Sequence, residues 1–326
     1  EPVERRSFGE TVEAVRSEFA AFVAGMPPLD PSRAATAREA AYILWSCTVR
    51  PCGQLRREAV FMSLNWMDQV WSWDNVFNLC ALARGFPELA MDQMRVVADH
   101  QDEHGAYPDG LNDIFKHYNF SKPPVQGILL DWLRGIEPGF FNEARDRELY
   151  DTLSAFARFW MRHRLDAESG LPYYLHGNDS GQDNSTLFDK GGPLVTPDLV
   201  TYLIELAAYL SRTAEALGMA GEAREWDQVS GELLDGLMHH LWKGDCFVAL
   251  KSDTRETLST QSVLPFMPLL LGERLPPEAR TELIAGITPF ITEFGLATEH
   301  PESPDYLADG YWRGPSWGPS TMLMVI

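Results

Sequence analysis

The sequence is short of positive charge. It sets 27 lysines and arginines against 47 acidic residues, a formal net charge of −20, and such a surface repels phosphate backbones and anionic membranes. Nucleic acids and polyanionic substrates are therefore poor partners, while neutral or cationic small molecules remain. Cysteine is scarce as well: Cys47, Cys52, Cys80 and Cys246 are the four in the chain. They form no CxxC pair and adjoin no cluster of histidines, which argues against a zinc site and for buried reduced thiols, with an interaction between Cys47 and Cys52 as the alternative. No apolar run approaches the ~20 residues of a membrane helix, and the opening "EPVERRSFGE" has no signal-peptide core. These absences imply a cytoplasmic protein. The opening also lacks an initiator Met, and the final "GPSTMLMVI" is apolar with no stop signal, so both ends are expected to have been cut from something longer.

Strands of period 2 are few, and helical periodicity takes their place. Apolar stripes run through Phe8, Val12, Val15, Phe19 and Phe22; through Ala34, Ala37, Ala41, Leu44 and Cys47; and through Leu149, Leu153, Phe156 and Trp160. The second half continues with Leu199 to Leu217, then Trp226 to Leu237, then Leu283, Ile287 and Phe290. Shorter helices fit near 74–84, 87–102 and 123–134. Pro31, Pro87, Pro123, Pro197 and Pro277 mark starts, and Gly135 and Gly218 mark ends. About ten or eleven helices with short turns on one side and long loops on the other predict helical hairpins wound into an α/α toroid. No linker or repeat divides the chain, so residues 1–326 are expected to form one catalytic domain.

The chemistry lies in four long loops, 62–75, 104–124, 171–193 and 300–317, all mixing Trp or Tyr with carboxylates and with amides or an arginine. Sugars need that mixture, because aromatic faces cover the C–H face of a pyranose while charged and amide groups take its hydroxyls. In "WSWDN", Asp74 follows two tryptophans at a helix start. It either caps that helix or accepts two sugar hydroxyls above a floor made by Trp73. In "YWRGPSW", Arg313 either stacks on Trp312, worth ~0.5–2 kcal/mol, or orders a carboxylate that must stay ionised. In "HGNDSGQDNS", Asn178, Asp179 and Asn184 could close Asx-turns of a solvated loop. The other reading is a tight turn at Ser180 and Gly181 that presents Asp183 to a cavity, with Asp179 near enough to influence its proton. The spacing of a calcium-binding loop is not met there. A proton donor in a carboxylate-rich pocket is what glycosidic cleavage requires.

"WSWDN", "FSKPPVQG", "DSGQDNS" and "GYWRGPSW", in that order, resemble glycoside hydrolase family 63, the processing α-glucosidase and mannosylglycerate hydrolase family, and more loosely the trehalases. The resemblance runs from about residue 60 to the end. It implies an (α/α)6 barrel, a small carbohydrate substrate and cleavage of α-linked sugars with inversion. By matching positions it makes Asp183 the general acid. Trp73 and Asp74 become a sugar-holding pair, Lys122 the polar residue before the double proline, and Trp312 with Arg313 the opposite wall; Asp179, Gly181 and Trp317 complete the expected contacts. No cofactor or metal is implied, although a structural calcium is compatible. Two departures from the family pattern stand out. Asp179 occupies a place where many relatives have Glu. The general base, a Glu some tens of residues past "YWRGPxW", would fall beyond Ile326, since no carboxylate follows Asp309; if the base lies inside the chain, Glu299, Asp305 and Asp309 are the candidates. Two alternatives remain at this stage. One is a sugar epimerase on the same toroid, working through basic residues such as His176. The other is a carbohydrate-binding fragment without turnover.

Overall fold

A computed structural model describes residues 6–326. Among them are ten α-helices: α1 (Phe8–Gly25), α2 (Ala34–Ser46), α3 (Asp74–Leu82), α4 (Pro87–Ala98), α5 (Gln126–Ile136), α6 (Glu143–His163), α7 (Pro197–Ala216), α8 (Ala220–Gly236), α9 (Pro277–Ile287) and α10 (Gly318–Val325). The described chain gathers into two compact units, one made of the segment up to Asp99 with Gly110–Lys116, the other of His100–Asp109 with His117–Ile326.

In the first unit α1 opens on a capping box, the Glu10 amide donating to Ser7 Oγ and the Ser7 amide to Glu10 Oε2. It packs on α2, and α3 packs on α4. Buried polar groups fix this second pair. The Asn75 amide donates to the Gln93 carbonyl over 2.9 Å, and Gln93 in turn accepts the Val60 N–H. The start of α3 is thereby held in place, which matters because Trp73 and Asp74 sit there.

The second unit is organised around α7, which packs against α5, α6 and α8. Its stripe from Leu199 to Leu210 is buried. Pro197 opens the helix, where a missing N–H costs nothing, and the glycine after its end, Gly218, takes φ 75°. Beside the helices lies an antiparallel sheet of four short strands in the order Tyr173–Tyr174, Leu194–Val195, Ala249–Lys251 and Thr257–Leu258. The first two pair Tyr173 with Val195 and Tyr174 with Leu194, so the intervening chain closes into one long hairpin loop. Leu187, Leu194, Ala249, Leu258 and Leu264 pack together beneath it, with Phe188 against them.

One buried carboxyl in this unit makes a stability prediction. Asp198, in the first turn of α7, is fully buried and accepts the Tyr174 hydroxyl at 3.1 Å. Burial raises it to about 6. The folded state thus holds a proton that the unfolded chain releases at about pH 3.9, and stability should fall by roughly 3 kcal/mol as pH rises between those values. Asp198→Asn should remove that loss. Its Tm should exceed wild type at pH 7 and match it at pH 4, and equal Tm values at both pH would contradict the assignment. No helix among the described residues is long and apolar enough to cross a membrane.

Candidate active site

The hairpin loop between Tyr174 and Leu194 carries "HGNDSGQDNS". It is not a solvated string of Asx-turns. Gly177–Ser180 form a 3-10 turn whose N-cap is His176, with Nδ1 accepting the Asn178 N–H at 3.1 Å. Asp179, only 1% exposed, anchors the turn. Its carboxylate accepts the amides of Ser121, Leu175 and His176 at 2.8, 2.7 and 3.2 Å and pairs with Arg164 at 3.3 Å. Those partners occupy both oxygens. Asp179 thus pins the turn to two other segments of the chain and pairs with Arg164.

Two glycines let the loop turn toward Asp183. Gly181 caps the 3-10 turn at φ 73°, ψ −14°, a left-handed conformation that side chains disfavour. A Cβ on Gly177 would stand 2.5 Å from the Asp183 carbonyl oxygen, so only glycine admits the chain there. Asp183 then keeps a third of its side chain exposed. Tyr311 donates its hydroxyl to Oδ2 at 3.2 Å, and Lys122 Nζ lies 3.9 Å from Oδ1. Burial raises the Asp183 pKa above the ordinary carboxylate value, while Lys122, Tyr311 and His176 pull against that rise.

Lys122 is itself buried. Its ammonium donates to the Asn178 carbonyl at 2.6 Å and stands 3.3 Å from Asp109 Oδ1. Asp109 is 2% exposed, and its other oxygen lies 3.3 Å from His117 Nδ1. The chain Asp183, Lys122, Asp109, His117 thus runs on from the loop through two buried side chains. Its last two members carry no signal that sequence reasoning could use, because neither belongs to a motif or a periodic stripe. Tyr311 was legible as part of "YWRGPSW" yet not singled out.

"GYWRGPSW" docks on Asn184, the neighbour of Asp183. Asn184 donates its side-chain amide to the Gly310 carbonyl at 3.0 Å, its side-chain oxygen accepts the Trp312 N–H at 2.9 Å, and its main-chain carbonyl accepts Arg313 Nε at 2.8 Å. The Arg313 guanidinium also pairs with Asp189. Arg313 is thus tied to the acid's neighbour Asn184 and to Asp189. Trp312 is buried and stacked on Trp317, ring centroids 4.6 Å apart. Trp317 Nε1 bonds the Tyr311 carbonyl at 2.7 Å. Held on both sides, Tyr311 stays at φ 65°, a strained conformation for a residue with a side chain. In this conformation its hydroxyl meets Asp183.

In the other unit, Trp73 is the N-cap residue of α3 and offers no side-chain cap, while Asp74 is the first residue inside the helix. Asp74 is thus not the N-cap that one sequence reading made it. A carboxylate in this first turn is still favoured by the helix dipole, worth ~0.3–1 kcal/mol. Trp73 is 8% exposed and meets Phe77 edge to face at 6.0 Å. Among the described residues no group of three or more His, Cys, Asp and Glu is placed to hold a metal ion.

Residues 67–326 match the family described as "Mannosylglycerate hydrolase MGH1-like glycoside hydrolase domain". The chain belongs to this family. It is a glycoside hydrolase of the family 63 type. Among solved structures it is similar to a family 63 mannosylglycerate hydrolase from Thermus thermophilus in complex with glucose. The identity is 20%, the TM-score 0.71, and the match covers 86% of this chain and 82% of that one. The neutral trehalase of Saccharomyces cerevisiae matches at 15% identity and TM-score 0.64, over 79% of this chain and 61% of its own. These likenesses bear on fold, and with the helical content they place the family 63 hydrolase in the (α/α)6 toroid class. No curated protein is similar to it in sequence at a significant level.

Proposed function

We propose that the protein is an inverting α-glycoside hydrolase acting on α-linked glucosides or mannosides, as small oligosaccharides, disaccharides or glycosylglycerates, with Asp183 as general acid. One observation carries the reading: in a family of glycosidases, Asp183, the second aspartate of "DSGQDNS", is part-buried, with a raised proton affinity, and two donors stand ready to stabilise it once ionised. Asp183 gives its proton to the glycosidic oxygen, the C1–O bond breaks, and Tyr311 and Lys122 hold the carboxylate that results. Water adds to C1 from the opposite face as a second carboxylate, ~6.5–9.5 Å from the first, removes its proton. The resemblance assigns that base to a Glu following "YWRGPSW". The resemblance gives Trp73 and Asp74 to the glycone; around the acid itself, Trp312, Trp317 and Arg313 flank Asp183 through Asn184 and Tyr311, and Asp179 and Gly181 set the loop.

The Thermus thermophilus relative was crystallised with glucose, and also with Tris and D-glycerate, which supports a small polyhydroxy ligand here as well. Membership of a hydrolase family favours bond cleavage over epimerisation. The stereochemistry is tested by recording ¹H NMR spectra of the protein with α-linked disaccharides and glycosylglycerates during the first minutes of turnover. The β anomer should appear first. Initial release of the α anomer would mean retention and would rule out the mechanism, and a free hexose converted without cleavage would restore the epimerase.

A further inference from the structure

We propose that Asp109 is a positioning residue of this site, keeping the transferable proton on Asp183 by taking the charge of Lys122. The proposal rests on the reading of Asp183 as the acid.

An ammonium 3.9 Å from a general acid is a hindrance, because it favours the ionised carboxylate and draws the proton off. Lys122 is only 6% exposed, so water does little to screen it. Its contact with the Asn178 carbonyl is to a neutral acceptor. Either of the two carboxyls beside it can match that charge, and one suffices. Distance and partners favour Asp109 as that one, against the burial that raises its pKa as well. Lys122 Nζ is 3.3 Å from Asp109 and 3.9 Å from Asp183, and His117 Nδ1 adds a second partner for Asp109 at 3.3 Å. Asp109 takes the anionic role and the proton falls to Asp183. Divergent environments of this kind separate the roles of paired carboxyls.

The groups that act on Asp183 are Lys122, Tyr311 and His176. On Asp109 burial raises the pKa, Lys122 and His117 lower it, and Asp179 adds a smaller rise, with Arg164 paired to Asp179. Lys122 is thus the group common to the two carboxyls, and its balance is what Asp109 sets.

The kcat–pH profile of Asp109→Asn tests this. With the amide in place the ammonium acts on Asp183 alone, so the proton leaves earlier and the alkaline limb should move to lower pH by about one unit or more. A titration of the ¹³C-labelled Asp183 carboxyl should move the same way, independently of turnover. A reduced kcat with limb and titration unmoved would make Asp109 a structural residue and overturn the proposal. Should Asp109→Asn not fold, Lys122→Met and Asp109→Asn/Lys122→Met make the comparison with no ammonium stranded. The double variant should titrate Asp183 at lower pH than Lys122→Met, and identical titrations would overturn the proposal. Failure of the underlying reading looks different: Asp183→Asn would then keep most of its turnover.

Discussion

Asp183→Asn should lower kcat on O-linked α-glycosides by about 10²–10⁴-fold, the usual contribution of a general acid, and leave sugar affinity near wild type. The amide has the shape of the acid and can still meet Tyr311, but it has no proton to give. The pH profile supplies the sign. Burial raises the Asp183 pKa, the protonated form is the active one, and wild-type kcat should fall as pH rises through that raised value. The variant should lack this alkaline limb. Steady-state kinetics between pH 5 and 9, with sugar binding followed by calorimetry, would check both. Retention of most turnover would remove Asp183 from the mechanism.

Asp74→Ala should cost kcat/KM on the order of 2–4 kcal/mol, because glycone hydroxyls that lose a charged partner stay buried and unpaired. Substrate and transition state should weaken together, so both KM and kcat/KM respond. Magnitude separates this from a role in the helix alone. Asp74 lies in the first turn of α3, where interaction with the helix dipole is worth ~0.3–1 kcal/mol of stability. Kinetics unchanged with a Tm lowered by a few degrees would leave Asp74 as a helix-end residue only.

The helices were legible because burial imposes a period that the sequence must keep, and α7 is the clearest case, its apolar stripe from Leu199 to Leu210 lying inside the second unit. Boundaries were less so. The helix expected near 123–134 starts at Gln126, since Pro123 and Pro124 disfavour helical geometry in the residue preceding each. The stripe through Phe290 breaks at Ile287, where Pro289 passes the chain into a 3-10 turn. The loop from His176 to Ser185 was legible as a turn leading to Asp183, because Ser180 and Gly181 carry that turn in their chemistry. What Asp179 does was not. Its partners Ser121 and Arg164 come from distant segments, and nothing in the local pattern shows that the carboxylate is held by four donors. Asp109 was hidden for the same reason. Its contact with Lys122 spans a loop with no regular repeat, so only the folded chain brings the two together.

The central claim is that Asp183 supplies the proton to the leaving oxygen. The most direct measurement compares Asp183→Asn with wild type on two substrates of the same glycone, an O-linked α-disaccharide and the corresponding α-glycosyl fluoride, whose leaving group departs as an anion with little need of a proton. The account predicts that the variant loses about 10²–10⁴-fold on the disaccharide and keeps most of its rate on the fluoride. Equal losses on both substrates would contradict it, since a residue that matters as much to a leaving group needing no proton is not acting as its acid.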